Sequence, residues 1–155
     1  MYSQKILLPY NFTKYDQKAL DFVIRNFAHL KDIEITLFNV YIPVPEIETR
    51  ESPIMEKMKS NLIYLSQKIK EQEAGLKTAK ENLLQNDFTE DRIRSIFKPR
   101  KKDVAGEIID LASKEHFDLI VLNHEPGKKV TRFFTESVFS KVVAALKDAA
   151  VCIVT

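Results

Sequence analysis

The run Asp118-Leu119-Ile120-Val121-Leu122 places four apolar residues in succession, with no polar residue between them. A strand of this kind has apolar side chains on both faces, which is typical of a parallel sheet covered by helices on both sides. Ile6-Leu7-Leu8 repeats the pattern near the N-terminus, and Ile33 to Ile42 is rich in β-forming residues. We therefore predict a parallel sheet with right-handed crossovers between its strands.

Outward from these strands, the chain alternates helical and extended patterns. Thr13 with Asp16 fits a helix N-cap of the capping-box type, Ser52-Pro53 is a helix start signal, and Asp103 caps a further helix. The predicted helices run from Thr13 to near Leu30, over residues 53 to 86, over Val104 to Ala112 and over Phe133 to Leu146, and the other predicted strands are Arg92 to Phe97 and Ala150 to Thr155. We predict one α/β domain over residues 1–155, a doubly wound five-stranded parallel sheet with helices on both faces.

Composition indicates a globular protein and excludes several kinds of site. The chain has 155 residues, the length of one domain, and its net charge of +2 is too small to indicate a nucleic-acid partner. No apolar stretch approaches the roughly 20 residues that a membrane span needs. The single Cys152 excludes an intramolecular disulfide and a zinc site of several cysteines. The N-terminus has no signal-peptide pattern, so we expect a cytoplasmic protein.

The predicted fold also places a candidate site. Doubly wound sheets bind ligands beyond the carboxyl ends of their strands, where the strand order reverses. This edge would carry Asn11 after the first strand, Val40 and Tyr41 after the second, and Asn123 and His124 after the fourth.

Four local segments, together with the order of the elements, carry a family resemblance over nearly the whole chain. They are Lys5 to Thr13, Lys102-Asp103-Val104-Ala105 with Ile108, Ile109 and Ala112, Phe117 to Leu122, and Glu136-Ser137-Val138 with Val142, Val143 and the closing Val151-Cys152-Ile153-Val154. In these segments the chain resembles the universal stress protein family, which implies an adenine nucleotide alpha hydrolase-like fold. Asn11 stands where that family usually has an aspartate, and Lys102 stands where it usually has a glycine.

The nucleotide loop of that family is strongly altered here. Nucleotide-binding members carry a glycine, two residues, a glycine, nine residues, a glycine and then serine or threonine, because glycines let backbone N–H groups approach phosphates closely. Aligned back from Ser137, the three glycine positions hold Asn123, Pro126 and Glu136. Gly127 replaces one glycine only after a one-residue slip. We therefore do not expect triphosphate binding in the family's mode.

The resemblance and the sheet edge together give a set of candidate nucleotide-binding residues. They are Pro9, Asn11, Val40, Asn123, His124, Gly127, Lys128, Ser137 and Val138. ATP or AMP is the cofactor that the family implies, but neither is favoured. We predict no catalytic residue, because no nucleophile accompanies His124, and no metal site, because the three histidines lack ligand spacing.

The basic residues leave two interpretations open. Lys128, Lys129 and Arg132 either clamp a phosphate by charge or form a solvated loop. The cluster from Lys98 to Lys102 follows the third strand at the same edge, so the two clusters would suit an anionic ligand if they converged. No stacking aromatic residues interleave these cations, so nucleic acid is not favoured as a partner.

Two functions therefore remain. The first is a regulatory stress-response domain, dimeric and without catalysis, that binds ATP weakly or not at all through the altered loop. The second is an adenine-nucleotide-binding stress protein that uses a modified phosphate loop, with slow ATP hydrolysis. Pro126 and Glu136 favour the first.

Two segments are candidates for contacts with partners. The closing strand from Ala150 to Val154 holds no charge and no proline, so at a sheet edge it would pair with its own copy, as universal stress proteins commonly do. A second domain in tandem, packed on the same edge, is the alternative. The helix after Pro53 would be about 50 Å long, longer than the sheet, so either part of it overhangs or it breaks near Gly75. We expect the overhang at residues 70 to 88, around Gly75, as a mobile segment or a partner contact, with a coiled-coil seam as the alternative.

Overall fold

A computed structural model of the protein describes residues 3–45, 53–124 and 138–155. Within these ranges, five strands and four helices alternate as predicted. They are β1 (Gln4–Pro9), α1 (Lys14–Phe27), β2 (Ile33–Tyr41), α2 (Pro53–Gln85), β3 (Ile93–Pro99), α3 (Val104–Lys114), β4 (Leu119–Asn123), α4 (Val138–Ala145) and β5 (Ala150–Val154). Phe133 and Phe134, which we predicted in the last helix, lie outside the described residues.

The sheet is parallel throughout, with the strand order β3-β2-β1-β4-β5. This confirms the predicted α/β class and places β5 at one edge, as expected. β3 continues two residues further than predicted, through Lys98 and Pro99. Pro99 is tolerated there because it ends an edge strand, where a missing N–H breaks no interior ladder.

Helices cover both faces of the sheet, and successive strand residues point to opposite faces. Ile6 and Leu8 join the core under α1 and α2, whereas Leu7 between them joins the core under α3 and α4. Val121 and Ile120 of β4 divide in the same way. This two-sided burial explains why β1 and β4 contain continuous apolar runs, Ile6 to Leu8 and Leu119 to Leu122, rather than alternating ones.

The long helix α2 is fixed to the body by its C-terminal part. Leu76, Ala79 and Leu83 are buried against the sheet, whereas no described residue from 56 to 75 is buried. Ile54 near the helix start is 73% exposed. The projecting part is therefore the N-terminal half, and the prediction of an overhang at residues 70 to 88 was wrong. The apolar spacing is the same along the whole helix, so the sequence could not show which part meets the sheet.

The end of α2 explains this placement. Asp87 has a left-handed φ of 72°, and Phe88 N–H donates back to the Leu83 carbonyl oxygen at 3.2 Å. This pattern is a Schellman-type helix end, with its usual apolar contact between the residue after the turn and the last helical turn. Phe88 is 2% exposed, so the turn fixes the last helical turn in the core.

A second close contact explains Gly75, which does not break the helix. A Cβ added at Gly75 would lie 2.8 Å from two ring carbons of Phe12, in the turn between β1 and α1. Phe12 has a φ of 64°, a conformation that costs a bulky residue about 1–2 kcal/mol. Its ring packs edge-on against Tyr10, with 5.3 Å between the ring centroids. Glycine is required at position 75 because the ring occupies the space of a side chain.

This contact predicts a change of sign in a mutant cycle. Alanine normally stabilises a helix interior by about 1 kcal/mol over glycine. We expect Gly75→Ala to lower the free energy of unfolding by about 1–2 kcal/mol in the wild type, because it overpacks against Phe12. In a Phe12→Ala background the same change should raise it by about 1 kcal/mol. Urea unfolding measures both, and equal stabilisation in the two backgrounds would show that the ring does not limit position 75.

Candidate functional site

A cavity of about 500 Å³ opens at the carboxyl ends of β1 and β4, between the two halves of the sheet. The chain runs outward in opposite directions from these two strands, so this is the point where the strand order reverses. The volume lies within the usual range for small-molecule sites. The lining residues are Pro9, Tyr10, Asn11, Thr13, Lys14, Tyr15, Asp16, Phe38, Asn39, Val40, Val104, Ile108, Leu122, Asn123, His124, Val138 and Phe139.

Six of the nine candidate residues line this cavity: Pro9, Asn11, Val40, Asn123, His124 and Val138. Gly127, Lys128 and Ser137 lie outside the described residues, as do Lys129, Arg132 and the substituted glycine positions at Pro126 and Glu136. Tyr41 does not line the cavity. Its ring packs on Phe97 of β3, with 4.6 Å between centroids.

One cavity wall is rich in hydrogen-bond acceptors, and its central group is Asp16. This carboxylate is 2% exposed and accepts hydrogen bonds from Thr13 N–H at 3.1 Å, from the Thr13 hydroxyl and from Asn123 Nδ2 at 2.6 Å. The capping box that the sequence predicted is present, with Asp16 as its third helical residue. Its bond to Asn123 spans 107 positions of sequence, so the spacing could not indicate it.

Asn39 of β2 adds a buried acceptor to the same wall. It is 4% exposed, and its Nδ2 donates to the Tyr10 carbonyl oxygen at 2.8 Å, while its Oδ1 has no hydrogen-bond partner among the described residues. The sequence analysis missed this residue. The signal was an amide between apolar residues close to the carboxyl end of a strand. Buried polar side chains normally have partners, so Asn39 marks the wall as unusual.

Tyr10 connects these acceptors to α1. Its hydroxyl donates to Gln17 Oε1 at 3.1 Å. Burial, together with the charges of Asp16 and Asp21, raises the pKa of the Tyr10 phenol. The phenol therefore stays neutral near pH 7 and acts as a hydrogen-bonding group rather than as a base.

The opposite wall is apolar and aromatic. Phe38, Ile108 and Leu122 form its base, and His124 and Phe139 lie at its rim with their rings edge-to-face, 4.9 Å between centroids. A flat ring system suits such a wall, because aromatic faces and edges pack favourably. The cavity thus combines a wall for a planar apolar group with a wall for hydrogen-bond donors.

The Universal stress protein family model matches residues 2–148 of the sequence. The chain belongs to the universal stress protein family. No curated protein matches the sequence. The match covers β1 through α4, so it includes every element that lines the cavity.

Solved universal stress proteins share the fold. UspA from Lactobacillus plantarum has a TM-score of 0.70 at 17% identity, over 100% of this chain and 99% of that chain. A universal stress protein in complex with cAMP has a TM-score of 0.66 at 17% identity, over 100% and 98%. A family protein from Arabidopsis thaliana with AMP bound has a TM-score of 0.62 at 12% identity, over 97% and 90%. At these low identities the likeness concerns the adenine nucleotide alpha hydrolase-like fold.

The described residues contain no group of three or more His, Cys, Asp or Glu side chains that could hold a metal ion. In the same ranges, no helix is both long and apolar enough to cross a membrane.

In this universal stress protein, acidic side chains of α3 hold the basic segment from Lys98 to Lys102, beside the cavity, by hydrogen bonds and ion pairs. Glu107 is 4% exposed and accepts hydrogen bonds from Lys101 N–H at 2.9 Å and from Lys102 N–H at 3.0 Å. Lys98 Nζ lies 3.5 Å from the same carboxylate, and Lys102 Nζ lies 2.7 Å from Asp110. These pairs partly neutralise the segment. Its convergence with the second basic cluster involves residues outside the described ranges.

This arrangement changes the acidity of Glu107. Burial alone would raise the pKa of Glu107, but the backbone hydrogen bonds from Lys101 and Lys102 and the charge of Lys98 outweigh it, so the pKa is lowered. A lowered pKa in the folded state means that ionised Glu107 stabilises the fold above the unfolded-state pKa of about 4.3. This contribution is lost as the pH falls through the lower, folded-state pKa.

Glu107→Gln should therefore destabilise the protein in a pH-dependent way. We expect a loss of about 1–2 kcal/mol at pH 7, since hydrogen bonds to a charged group are removed. The difference from wild type should shrink as the pH falls below about 4. Urea unfolding at several pH values measures it, with the exposed Glu81→Gln of α2 as the control. A difference that grows on acidification would contradict the role given to Glu107.

Proposed function

We propose that residues 1–155 of this universal stress protein are one cytoplasmic regulatory domain of the stress response that binds ATP weakly or not at all. The observation that carries the proposal is the hydrogen bond of 2.6 Å from Asn123 to Asp16. In the alignment of the loop, Asn123 stands at the first glycine position, where a bare backbone would have to approach the phosphates. Its side chain instead joins the end of β4 to a buried carboxylate.

The charges at this place oppose a triphosphate. Asp16 is 2% exposed and accepts a hydrogen bond from Asn123. Phosphates at the end of β4 would therefore lie near a negative charge that little water screens. Pro126 removes one N–H donor from the loop sequence, and Glu136 adds a further carboxylate. A regulatory role without catalysis is consistent with these substitutions.

Calorimetry with ATP and Mg²⁺ tests this proposal. We expect a Kd weaker than about 100 µM, equivalent to about −5.5 kcal/mol. The double variant Pro126→Gly/Glu136→Gly should bind ATP more tightly, because it restores two close approaches of backbone to phosphate. Glu125→Gly, which lies beside a glycine position but not at one, is the matched control. Low-micromolar ATP binding that Ser137→Ala abolishes would refute the proposal.

A second candidate function is recognition of AMP or a related nucleoside monophosphate. The aromatic wall suits a base, and the wall of Asp16 and Asn39 suits hydrogen-bond donors such as ribose hydroxyls or an exocyclic amine. Relatives solved with cAMP and with AMP bound support this candidate. Slow ATP hydrolysis would belong to this candidate and not to the first.

A thermal-shift series separates the two candidates. AMP at a hundred times its Kd should add about 2.7 kcal/mol to the free energy of unfolding. Asn11→Ala, at an exposed position of the cavity, should reduce the shift, whereas Asp21→Ala on the surface of α1 should not. If millimolar AMP does not shift the unfolding temperature, only the first candidate function remains.

The assembly we propose is a homodimer through β5. The two sheet edges differ: β3 carries Arg94, Lys98 and Pro99, which discourage pairing, whereas β5 carries neither charge nor proline. Ile153 of β5 is 39% exposed, a large apolar side chain on an edge strand. Isologous pairing of β5 with its copy would cover this edge.

Light scattering at about 10 and 100 µM should find a dimer, since these concentrations span the affinities of transient interfaces. Ile153→Lys should convert it to a monomer, because two lysines would face each other across the two-fold axis. Ser95→Lys introduces the same side chain on the opposite edge strand and should leave the dimer intact. A dimer untouched by Ile153→Lys would exclude β5 as the interface.

The projecting half of α2 is the place where we propose a contact with another protein. Ile54, Ile63 and Tyr64 are 73%, 68% and 66% exposed there, so three large side chains are accessible to such a partner.

A further inference from the structure

Phe12 lies between two residues that line the cavity but is itself directed away from it. Asn11 and Thr13 line the cavity on either side, whereas the Phe12 ring packs against Gly75 of α2. Its left-handed φ of 64° is rare for a bulky residue and persists only where surrounding contacts enforce it. Such strained residues concentrate at ligand sites and switch regions.

The contact sits at the point where α2 leaves the body of the protein. Leu76 is the first buried residue among the helix residues whose burial the structure describes, and Gly75 immediately precedes it. With no Cβ, the helix backbone touches the ring directly, at a place where even a methyl group would lie 2.8 Å from two ring carbons. A rotation or shift of α2 at this point must therefore displace the Phe12 ring.

Displacement of the Phe12 ring would change contacts on both sides of the cavity. Phe12 continues into Thr13, whose N–H and hydroxyl donate to Asp16. Asp16 in turn accepts the hydrogen bond from Asn123 at the end of β4. Described residues thus form an unbroken series of contacts from Gly75 of α2, through the β1–α1 turn, to Asn123 at the end of β4.

We propose that Phe12 is a positioning residue that couples helix α2 to the cavity wall. Contacts that hold or move the projecting half of α2 set the position of Asn11 and Thr13 through the Phe12–Gly75 contact. By thermodynamic reciprocity, a molecule bound in the cavity changes the mobility of α2 around Gly75. The coupling rests on the proposed function only for the identity of the cavity's ligand.

The first experiment needs no ligand. NMR spectra and amide exchange of the full chain are compared for wild type, Gly75→Ala and the control Lys77→Ala, an exposed site on the same helix. We expect Gly75→Ala to shift the amide signals of Asn11 and Thr13 and the side-chain amide of Asn123. Exchange at Thr13 and Asp16 should become about tenfold faster. Changes confined to α2 and the Phe12 ring would overturn the proposal.

A second variant and a measurement of AMP binding distinguish failure of the coupling from failure of the nucleotide proposal. Phe12→Leu removes the ring and should alter the amides of residues 72–78 and the side-chain amide of Asn123; if Gly75→Ala does not fold, this variant alone decides. If AMP binds, Gly75→Ala should change its Kd at least about fivefold, and Lys77→Ala should not. If AMP does not bind, the nucleotide proposal fails while the first experiment still decides the coupling. An unchanged AMP Kd in Gly75→Ala would overturn it.

Discussion

Burial of the central strands on both faces is the constraint on which the rest of the structure depends. Leu7, Ile120 and Val121 have no exposed surface, so the middle of β1 and of β4 cannot present a functional group. The polar groups of the site therefore lie toward the carboxyl ends of the strands and in the turn that follows β1. The cavity lies where β1 and β4 part, and its side chains come from strand ends, from the β1–α1 turn and from helices α1, α3 and α4.

The same constraint explains what the sequence could predict. Continuous apolar runs such as Asp118 to Leu122 indicate two-sided burial, and from that follow the parallel sheet, the alternating helices and the edge at which ligands bind. Five of the six candidates that line the cavity lie at or just after the carboxyl end of a strand, a position that local sequence indicates. Asn39 was missed because it lies inside a strand, where a polar residue has no local role.

Long-range contacts were beyond local reasoning. The bond between Asp16 and Asn123 joins elements that meet only through the strand order, and nothing near either residue indicates the other. The direction of the α2 overhang was likewise hidden, because Leu62 and Leu76 have equivalent positions in one apolar seam. The burial of Phe88 after the turn at Asp87 fixes the Leu76 end of the seam, and not the Leu62 end, against the sheet.

The fixed C-terminal end of α2 has a consequence for how this helix can vary in length. Each residue inserted between Gly75 and Leu83 would turn one part of the buried seam by about 100° relative to the other, and so remove it from the core. A residue inserted before Ile54 does not rotate the buried seam of α2, and it lengthens the helix by about 1.5 Å. The N-terminal part of α2 can therefore vary in length while packing fixes its C-terminal part. The reach of the helix can change without altering the domain that carries it.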